Sequence, residues 1–196
     1  MSKKYNLGFN QRQKIDIFFA TWFYSGLIPP PRFMNGMAGT YGSFFSLPLC
    51  FVYVLLTRAI FSCGDFIEAT VFSVFLFLLL FYFAGNCIYT AEKILGPLTD
   101  WRGKTKDRDQ NQIVIDETLG MIVATLPITF FSVSIWSWEA AGLFLISFLA
   151  FRLFDIVKIW PANYFDTEKT VFGVLMDDVV AGAQAAAVLL AYWFIF

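Results

Sequence analysis

Long apolar runs, separated by short polar connections, cover most of the chain. Five of them have roughly the 20 residues with which a helix crosses about 30 Å of hydrocarbon; they lie at 44–61, 67–89, 116–135, 139–160 and 171–196. A shorter apolar segment at 15–28 stops at Pro29, Pro30 and Pro31, so we expect it to lie at the interface or to re-enter the bilayer. The pattern predicts a single all-α, polytopic membrane domain, 1–196, with about five transmembrane helices and a short N-terminal interfacial or re-entrant helix.

Composition agrees with a membrane location and excludes several classes of function. The chain is 58% hydrophobic and 20% aromatic, and only 15% of it is charged, whereas soluble domains are about a quarter charged. Its formal net charge of -1 provides no basic field for nucleic acid. The absence of histidine excludes the histidine-dependent lipid phosphatases, and the absence of a Cys-x5-Arg loop excludes the cysteine phosphatases.

Basic residues are distributed unevenly between the two sides of the membrane that the five runs imply. If every run spans, the N-terminal tail and the connections at 90–112 and 161–170 lie on the same side. That side, together with the helix ends nearest to it, holds every Lys and Arg except Arg58. Because positively charged connections stay in the cytoplasm, we expect this side to be cytoplasmic.

Apart from Arg58, Glu68 and Glu139 at the opposite face, the charged residues of the apolar runs fall at the cytoplasmic ends of those runs. They are a carboxylate pair that opens the third run, three charges that close the fourth, and a second carboxylate pair near the start of the fifth: Asp116, Glu117, Arg152, Asp155, Lys158, Asp177 and Asp178. A glycine-containing segment at 39–43, GTYGS, precedes the first run and is predicted to be a loop. A charge in hydrocarbon costs several kcal/mol unless it is paired, bound to a metal or close to the interface. Four polar motifs are therefore expected to meet at one membrane face.

The residue types in this group favour phosphoryl chemistry. Clustered carboxylates repel one another, and a set of ligands that consists only of oxygen suits Mg²⁺. Arginine and lysine bind phosphate oxygens, and backbone N–H groups of a glycine-rich loop contact anions. Each motif also has a structural explanation, because carboxylates stabilise helix N-termini, basic side chains extend to lipid headgroups, and glycines form turns.

Other classes of function stay open at this point. A carboxylate-lined ion or proton transporter would distribute its acidic residues through the depth of the membrane, and a membrane scaffold would not need the charge cluster. Transfer of a phospho-alcohol headgroup also uses paired aspartates and magnesium, but its D-x2-D-G-x2-A-R spacing is absent.

Four motifs, in this order, resemble the phosphatidylglycerophosphatase A family: GTYGS, DQNQIVIDETLGM, FRLFDIVKIWP, and YFD followed by GVLMDDVVAG. Members of that family remove the terminal phosphate of phosphatidylglycerophosphate with magnesium as cofactor. The resemblance therefore implies a Mg²⁺-dependent phosphatidylglycerophosphatase of the bacterial cytoplasmic (inner) membrane, with its active site at the cytoplasmic face. Ala38 and Ile159 stand where the family usually has proline, which affects the expected loop shape and removes no charged residue.

The resemblance also implies roles for individual residues. Those expected to be catalytic are Asp116, Glu117, Arg152, Asp155, Lys158 and Asp178. Those expected to bind metal are Asp109, Asp116, Glu117, Asp155, Asp177 and Asp178, and those expected to contact the phosphate are Gly39, Thr40, Gly42, Ser43, Arg152 and Lys158. The expected partner is a phospholipid substrate and not nucleic acid; the alternatives are another lipid phosphomonoester phosphatase and the transporter. The identity of the base, the number of metal ions, the choice between direct water attack and a covalent intermediate, and the oligomeric state stay open.

Overall fold

The computed structural model describes residues 9–28, 38–99, 105–106, 110, 112–168 and 170–195. Within them the helices are α1 (Gln11–Ala20), α2 (Ala38–Cys63), α3 (Phe66–Leu95), α4 (Ile115–Thr125), α5 (Trp138–Val157), α6 (Ala162–Asp166) and α7 (Val171–Ile195). Two 3-10 helices, Ser25–Leu27 and Leu126–Phe130, and a two-residue antiparallel pair, β1 (Leu98–Thr99) with β2 (Thr105–Lys106), complete the described elements. The predicted all-α class is confirmed.

Four of the described helices, α2, α3, α5 and α7, are long and apolar enough to cross a membrane, judged by length and composition. Their outward faces carry exposed apolar side chains, such as Phe75 and Leu79 on α3 and Leu153 on α5. Large exposed apolar surfaces are typical of membrane contact. The chain is therefore a membrane protein, and these four helices correspond to four of the five predicted runs.

The run at 116–135 is not the continuous spanning helix that its hydrophobicity predicts. It forms α4, then the 3-10 helix that contains Pro127, and then an irregular segment that ends at Ser137. Proline has no backbone N–H, and its ring collides with the carbonyl four residues earlier, so an α-helix rarely continues through it. All residues of α4 except Glu117 and Val123 are buried. The hydrophobicity of the α4 part of this run therefore reflects enclosure by protein and not contact with lipid.

The predicted loop at 39–43 is helical, because these residues form the first turns of α2. Glycine lowers helix stability by about 1 kcal/mol relative to alanine, but its missing side chain permits close packing here. A Cβ on Gly42 would lie 2.6 Å from the Val114 Cβ, so α2 and the residue before α4 are in near contact at this point. Tertiary packing outweighs the low helix propensity.

Helix α4 crosses α7 where the two backbones nearly touch. A Cβ built on Gly182 would lie 2.3 Å from the Gly120 carbonyl oxygen, and one built on Gly120 would lie 2.7 Å from the Asp178 carbonyl oxygen. Small residues let helices approach closely and gain van der Waals contact. The crossing brings the acidic residues of α4 and α7 together.

The predicted short N-terminal helix corresponds to α1, although it begins earlier than the apolar segment. Asn10 and Gln13 form a capping box, in which Asn10 Oδ1 accepts from Gln13 N at 2.9 Å and Gln13 Oε1 accepts from Asn10 N at 3.0 Å. Helix α1 packs on α3, with the rings of Phe19 and Phe83 5.1 Å apart. Its position in a membrane stays a prediction.

One end of the bundle collects the first residues of α2, α4 and α7 and the last residues of α3 and α5. We call it the polar end. Here Arg152 on α5 donates to Ser43 on α2 at 3.3 Å, and Lys158, the residue after α5, donates to Asp177 on α7. The alternating directions of the helices therefore bring residues that are far apart in sequence to one level.

Candidate active site

Three carboxylates form the centre of the polar end. Asp116 and Glu117 lie in the first turn of α4, and Asp178 lies about two turns into α7. One oxygen from each lies within 4.8 Å of the others, a spacing compatible with a shared cation. Asp116 is 7% exposed and Asp178 is 4% exposed. Carboxylates that are this close and this buried repel one another, so the cluster needs a positive charge or a proton.

Arg152 provides positive charge beside this cluster. Its Nη1 pairs with Asp155 Oδ2 at 2.6 Å, one turn further along the chain, and also donates to Ser43 Oγ at 3.3 Å. Ser43 Oγ donates in turn to the Gly39 carbonyl at 2.8 Å. A Cβ on Gly39 would lie 2.3 Å from Glu117 Oε1 and 3.2 Å from Arg152 Nη1. Gly39 is therefore packed against both the acidic and the basic side chain.

Lys158 is the C-cap of α5 and has a left-handed backbone, with φ 48° and ψ 59°. Glycine commonly holds this kind of position, because a Cβ is disfavoured there. The Lys158 ammonium contacts two carboxylates, Asp166 Oδ1 at 2.5 Å and Asp177 Oδ2. Burial alone would lower the pKa of Lys158, but Asp177 and Asp166 outweigh burial and hold this pKa above its usual range. Lys158 therefore carries its positive charge at neutral pH.

A cavity of about 120 Å³ joins the acidic and basic groups. Since a cavity needs roughly 10–15 Å³ of such volume to hold one water molecule, this one has room for several waters or one small anion. Its walls are formed by Ala38, Gly39, Gln110, Ile113, Asp116, Glu117, Arg152, Asp155, Lys158, Asp177 and Asp178. The structure thus brings together every charged site residue predicted from the sequence that lies in the described part. Asp109 lies outside the described residues.

Three residues predicted to contact phosphate are absent from the walls of this cavity. Gly42 packs against Val114, and Ser43 connects α2 to Arg152. Thr40 lies in the same helical turn and is partly buried. In this structure Gly42 and Ser43 hold the start of α2 in place, and Gly39 is the member of GTYGS that reaches the cavity.

Two residues that the sequence reasoning missed belong to the site. Gln110 lines the cavity, and its Nε2 donates to the Gly96 carbonyl at 2.8 Å, which ties the segment before α4 to the end of α3. Asp166 holds Lys158 from outside the cavity. Both stand inside the motifs DQNQ and YFD, so the signal was present, but neither spacing nor residue type singles them out.

The acidic cluster fits a small divalent cation. Glu117 Oε2 is buried without a hydrogen-bond partner in the described part of the chain, whereas buried polar atoms are normally satisfied. The cluster offers only oxygen ligands, which hard cations such as Mg²⁺ prefer. Asp155 and Asp177 form ion pairs with Arg152 and Lys158. The geometry therefore favours the cluster of Asp116, Glu117 and Asp178 over Asp155 and Asp177 as the place for a cation.

Fold and site together define a class: an all-α membrane protein with an acidic cluster and two basic side chains around a small cavity at one end of its bundle. The chain belongs to the phosphatidylglycerophosphatase A family, whose family model matches residues 18–193.

Individual relatives agree with this membership. Phosphatidylglycerophosphatase A of Haemophilus influenzae is 38% identical over 88 residues, which are 43% of this chain and 49% of that protein. Phosphatidylglycerophosphatase A of Escherichia coli is 35% identical over 82 residues, 41% of this chain and 43% of that protein. A Bacteroides thetaiotaomicron protein with the provisional name phosphatidylinositol-3-phosphatase is 32% identical over 88 residues, 44% of this chain and 52% of that protein. The chain spans about half the length of the curated relatives it matches. No solved structure gives a significant match.

Proposed function

We propose that this chain is a phosphatidylglycerophosphatase, which uses Mg²⁺ to hydrolyse the terminal phosphate of phosphatidylglycerophosphate, a step of glycerophospholipid biosynthesis. The products are phosphatidylglycerol and inorganic phosphate. The observation that carries the proposal is the meeting of Asp116, Glu117 and Asp178 with Arg152 and Lys158 around one small cavity. Family membership and the names of two relatives support the choice of substrate.

The acidic residues divide the work between cation binding and proton transfer. The cluster of Asp116, Glu117 and Asp178 would hold the cation, which when bound would polarise the phosphoryl oxygens. Glu117 also accepts the proton of the attacking water, because only one of its oxygens is needed for the cluster and its Oε2 is buried without a partner among the described residues. The water oxygen bonds to phosphorus as the bond from phosphorus to the glycerol oxygen breaks, and the glycerol oxygen leaves as a hydroxyl by taking the proton that Glu117 accepted.

The basic residues bind the phosphate. A guanidinium has more N–H groups than Arg152 uses with Asp155 and Ser43, and its Nε is buried without a partner in the described part. Lys158 contacts two carboxylates and has a further N–H available. Both side chains are thus able to neutralise the charge that develops on the phosphoryl group during transfer.

The proposed location is the bacterial cytoplasmic membrane, with the polar end at the cytoplasmic face. The support is the distribution of Lys and Arg along the sequence, since Arg58 alone falls near the other surface. A phosphate-binding site at that end would lie at the level of the lipid headgroups.

Phosphate release from phosphatidylglycerophosphate by the purified protein tests the proposal. Wild type is expected to turn over with Mg²⁺, and Asp178→Asn is expected to lower kcat about 10²-fold. Glu139→Gln is the matched control, because it neutralises an exposed carboxylate at the opposite end of α5, and it is expected to retain full activity. No phosphate release by wild type would refute the assignment.

The provisional name of the Bacteroides thetaiotaomicron relative favours a second candidate, removal of the phosphate from phosphatidylinositol 3-phosphate. The same residues would perform the same chemistry on a different headgroup. Both lipids are compared in one assay, and the larger kcat/KM identifies the substrate. Ion flux in proteoliposomes that Asp178→Asn abolishes, without phosphate release from either lipid, would instead support a transporter.

A further inference from the structure

An apolar groove runs along the outside of the bundle between α2 and α5. It encloses about 800 Å³ and is lined by Phe44, Pro48 and Phe51 of α2 and by Ala141, Phe144 and Phe148 of α5, among others. This volume lies in the range of about 300–1,000 Å³ that is typical of pockets for small molecules. Ser137 is the polar residue of its described lining, and its hydroxyl accepts from Ala140 N at 3.1 Å as the cap of α5. The groove therefore suits a hydrocarbon ligand.

The groove begins next to the candidate active site. Phe44 follows Ser43, which accepts the hydrogen bond from Arg152. Phe148 lies one turn before Arg152 on α5, and the rings of Phe44 and Phe148 are 6.4 Å apart at this end of the groove. A ligand in the groove would therefore have its nearer end close to the guanidinium of Arg152.

The length of the groove corresponds to one leaflet of a bilayer. Its α5 lining extends from Trp138 to Phe148, which is about 15 Å along the helix axis. Half of a hydrocarbon core of about 30 Å is also about 15 Å. At the far end the rings of Phe51 and Trp136 lie 5.2 Å apart. An acyl chain that starts at the headgroup level would reach this aromatic pair.

The groove is open on the side on which a membrane would lie. Phe44 is 56% exposed, Leu145 is 57% exposed and Trp138 is 93% exposed. Phe44 lies on α2 near the polar end, Leu145 lies in the middle of α5, and Trp138 is the first residue of α5. The opening therefore follows the groove from end to end. A lipid is therefore able to enter sideways, without leaving the bilayer.

We propose that this groove holds one acyl chain of the lipid whose phosphate enters the cavity at the polar end, so that it forms the hydrocarbon part of the substrate site. This inference rests on the proposed function. The groove gives the enzyme a preference for a phosphomonoester that carries a long acyl chain. A short-chain lipid or a soluble phosphomonoester does not reach the part of the groove that lies further from the polar end than Phe44 and Phe148.

Filling the groove tests this inference. Ala141 is exposed and lines the groove, so Ala141→Trp adds bulk there without disturbing the core. It is expected to lower kcat/KM for dioleoyl phosphatidylglycerophosphate about ten-fold, which corresponds to about 1.4 kcal/mol, and to leave the dihexanoyl lipid unaffected. Leu149→Trp is the matched control, because Leu149 is 57% exposed on the same helix outside the groove; it is expected to be neutral for both lipids. Equal values for Ala141→Trp and wild type, or an equal loss for both chain lengths, would overturn the inference.

A labelling experiment separates this inference from the proposed function. Phosphatidylglycerophosphate with a diazirine in one acyl chain is expected to label peptides of 44–51 and 141–148 in the wild-type protein, and Ala141→Trp is expected to reduce that labelling. Labelling without any phosphate release would refute the proposed activity and leave the groove assignment standing. Equal labelling by phosphatidylcholine with the same modified chain would show that ordinary membrane lipid occupies the groove, and would overturn the assignment even if phosphate release is observed.

Discussion

Gly39 is the position at which the smallest change in the chain is expected to have a large effect on activity. An alanine Cβ there would lie 2.3 Å from Glu117 Oε1, whereas ordinary contacts begin at 3.4 Å, so the carboxylate has to move by about 1 Å. Arg152 restricts this movement, because its Nη1 and Nη2 would lie 3.2 Å and 3.3 Å from the same Cβ. A displacement of about 1 Å in an active site is enough to lower a rate about 10²-fold. We expect a loss of that size in kcat/KM for Gly39→Ala.

The fold is expected to tolerate the same substitution. Alanine is favoured over glycine in a helix by up to about 1 kcal/mol, so the melting temperature of Gly39→Ala should not fall. Gly142→Ala is the matched control, because it makes the same change in α5, where the new Cβ would have no atom within 4 Å apart from its chain neighbours and the adjacent backbone of its own helix. Phosphate release and thermal unfolding are measured for both variants in the same detergent and lipid mixture.

Two results would contradict this explanation of Gly39. Full activity in Gly39→Ala would mean that Glu117 does not need its present position. A loss of activity accompanied by a lower melting temperature, with Gly142→Ala unchanged, would mean that the substitution damages the fold and not the site.

Three further predictions concern the cation, the ion pair and the helix crossing. Chelation of divalent cations is expected to abolish phosphate release, and added Mg²⁺ to restore it, because the carboxylate cluster needs a positive charge. Lys158→Met is expected to lower the free energy of unfolding by about 1–3 kcal/mol, since it removes a charged partner of the buried Asp177. Asp177→Asn should then lower the free energy of unfolding by less in the Lys158→Met background than in wild type, which a double-mutant cycle measures. Gly182→Ala is expected to destabilise the fold by about 1–3 kcal/mol, because its Cβ would lie 2.3 Å from a backbone oxygen of Gly120. Gly85→Ala is expected to be neutral in thermal unfolding, because its Cβ would lie 3.5 Å from the Leu175 side chain, an ordinary contact distance.

Each of these predictions has a result that contradicts it. Activity that survives chelation would remove the role of the cation. Additive effects of Lys158→Met and Asp177→Asn would mean that the two side chains do not interact in solution. Equal melting temperatures for Gly182→Ala and Gly85→Ala would mean that α4 and α7 separate more easily than their backbone contact implies.

The spanning helices are predictable from sequence because a helix in lipid must be apolar over its whole length. The same criterion fails for the run at 116–135, since a helix enclosed by protein is as apolar as one enclosed by lipid. Pro127 marks the point where α4 gives way to the 3-10 helix, but Pro48 lies inside the continuous helix α2. A proline alone therefore does not decide where a helix ends; the surroundings do.

The composition of the site is also predictable, and its internal arrangement is not. Alternating helix directions are sufficient to put Asp116, Arg152 and Asp178 at one end of the bundle. The pairing of Arg152 with Asp155 depends on which rotamers the packed helices allow. The contact between Gly39 and Glu117 depends on how closely α2 approaches α4, which is a property of the whole bundle and not of either motif.

The irregular segment after α4 has a consequence for the order in which the protein assembles. Backbone groups outside a regular helix are tolerated at membrane depth only where protein surrounds them. We therefore expect α2, α3, α5 and α7 to associate before the buried residues 127–129 take their final conformation, and labelling of single cysteines placed at these positions during synthesis should show protection that appears only after α7 is complete. Early protection, before α7 emerges, would contradict this order. Since Asp178 on α7 shares a cluster with Asp116 and Glu117 on α4, the candidate site is complete only when the last helix has packed against α4.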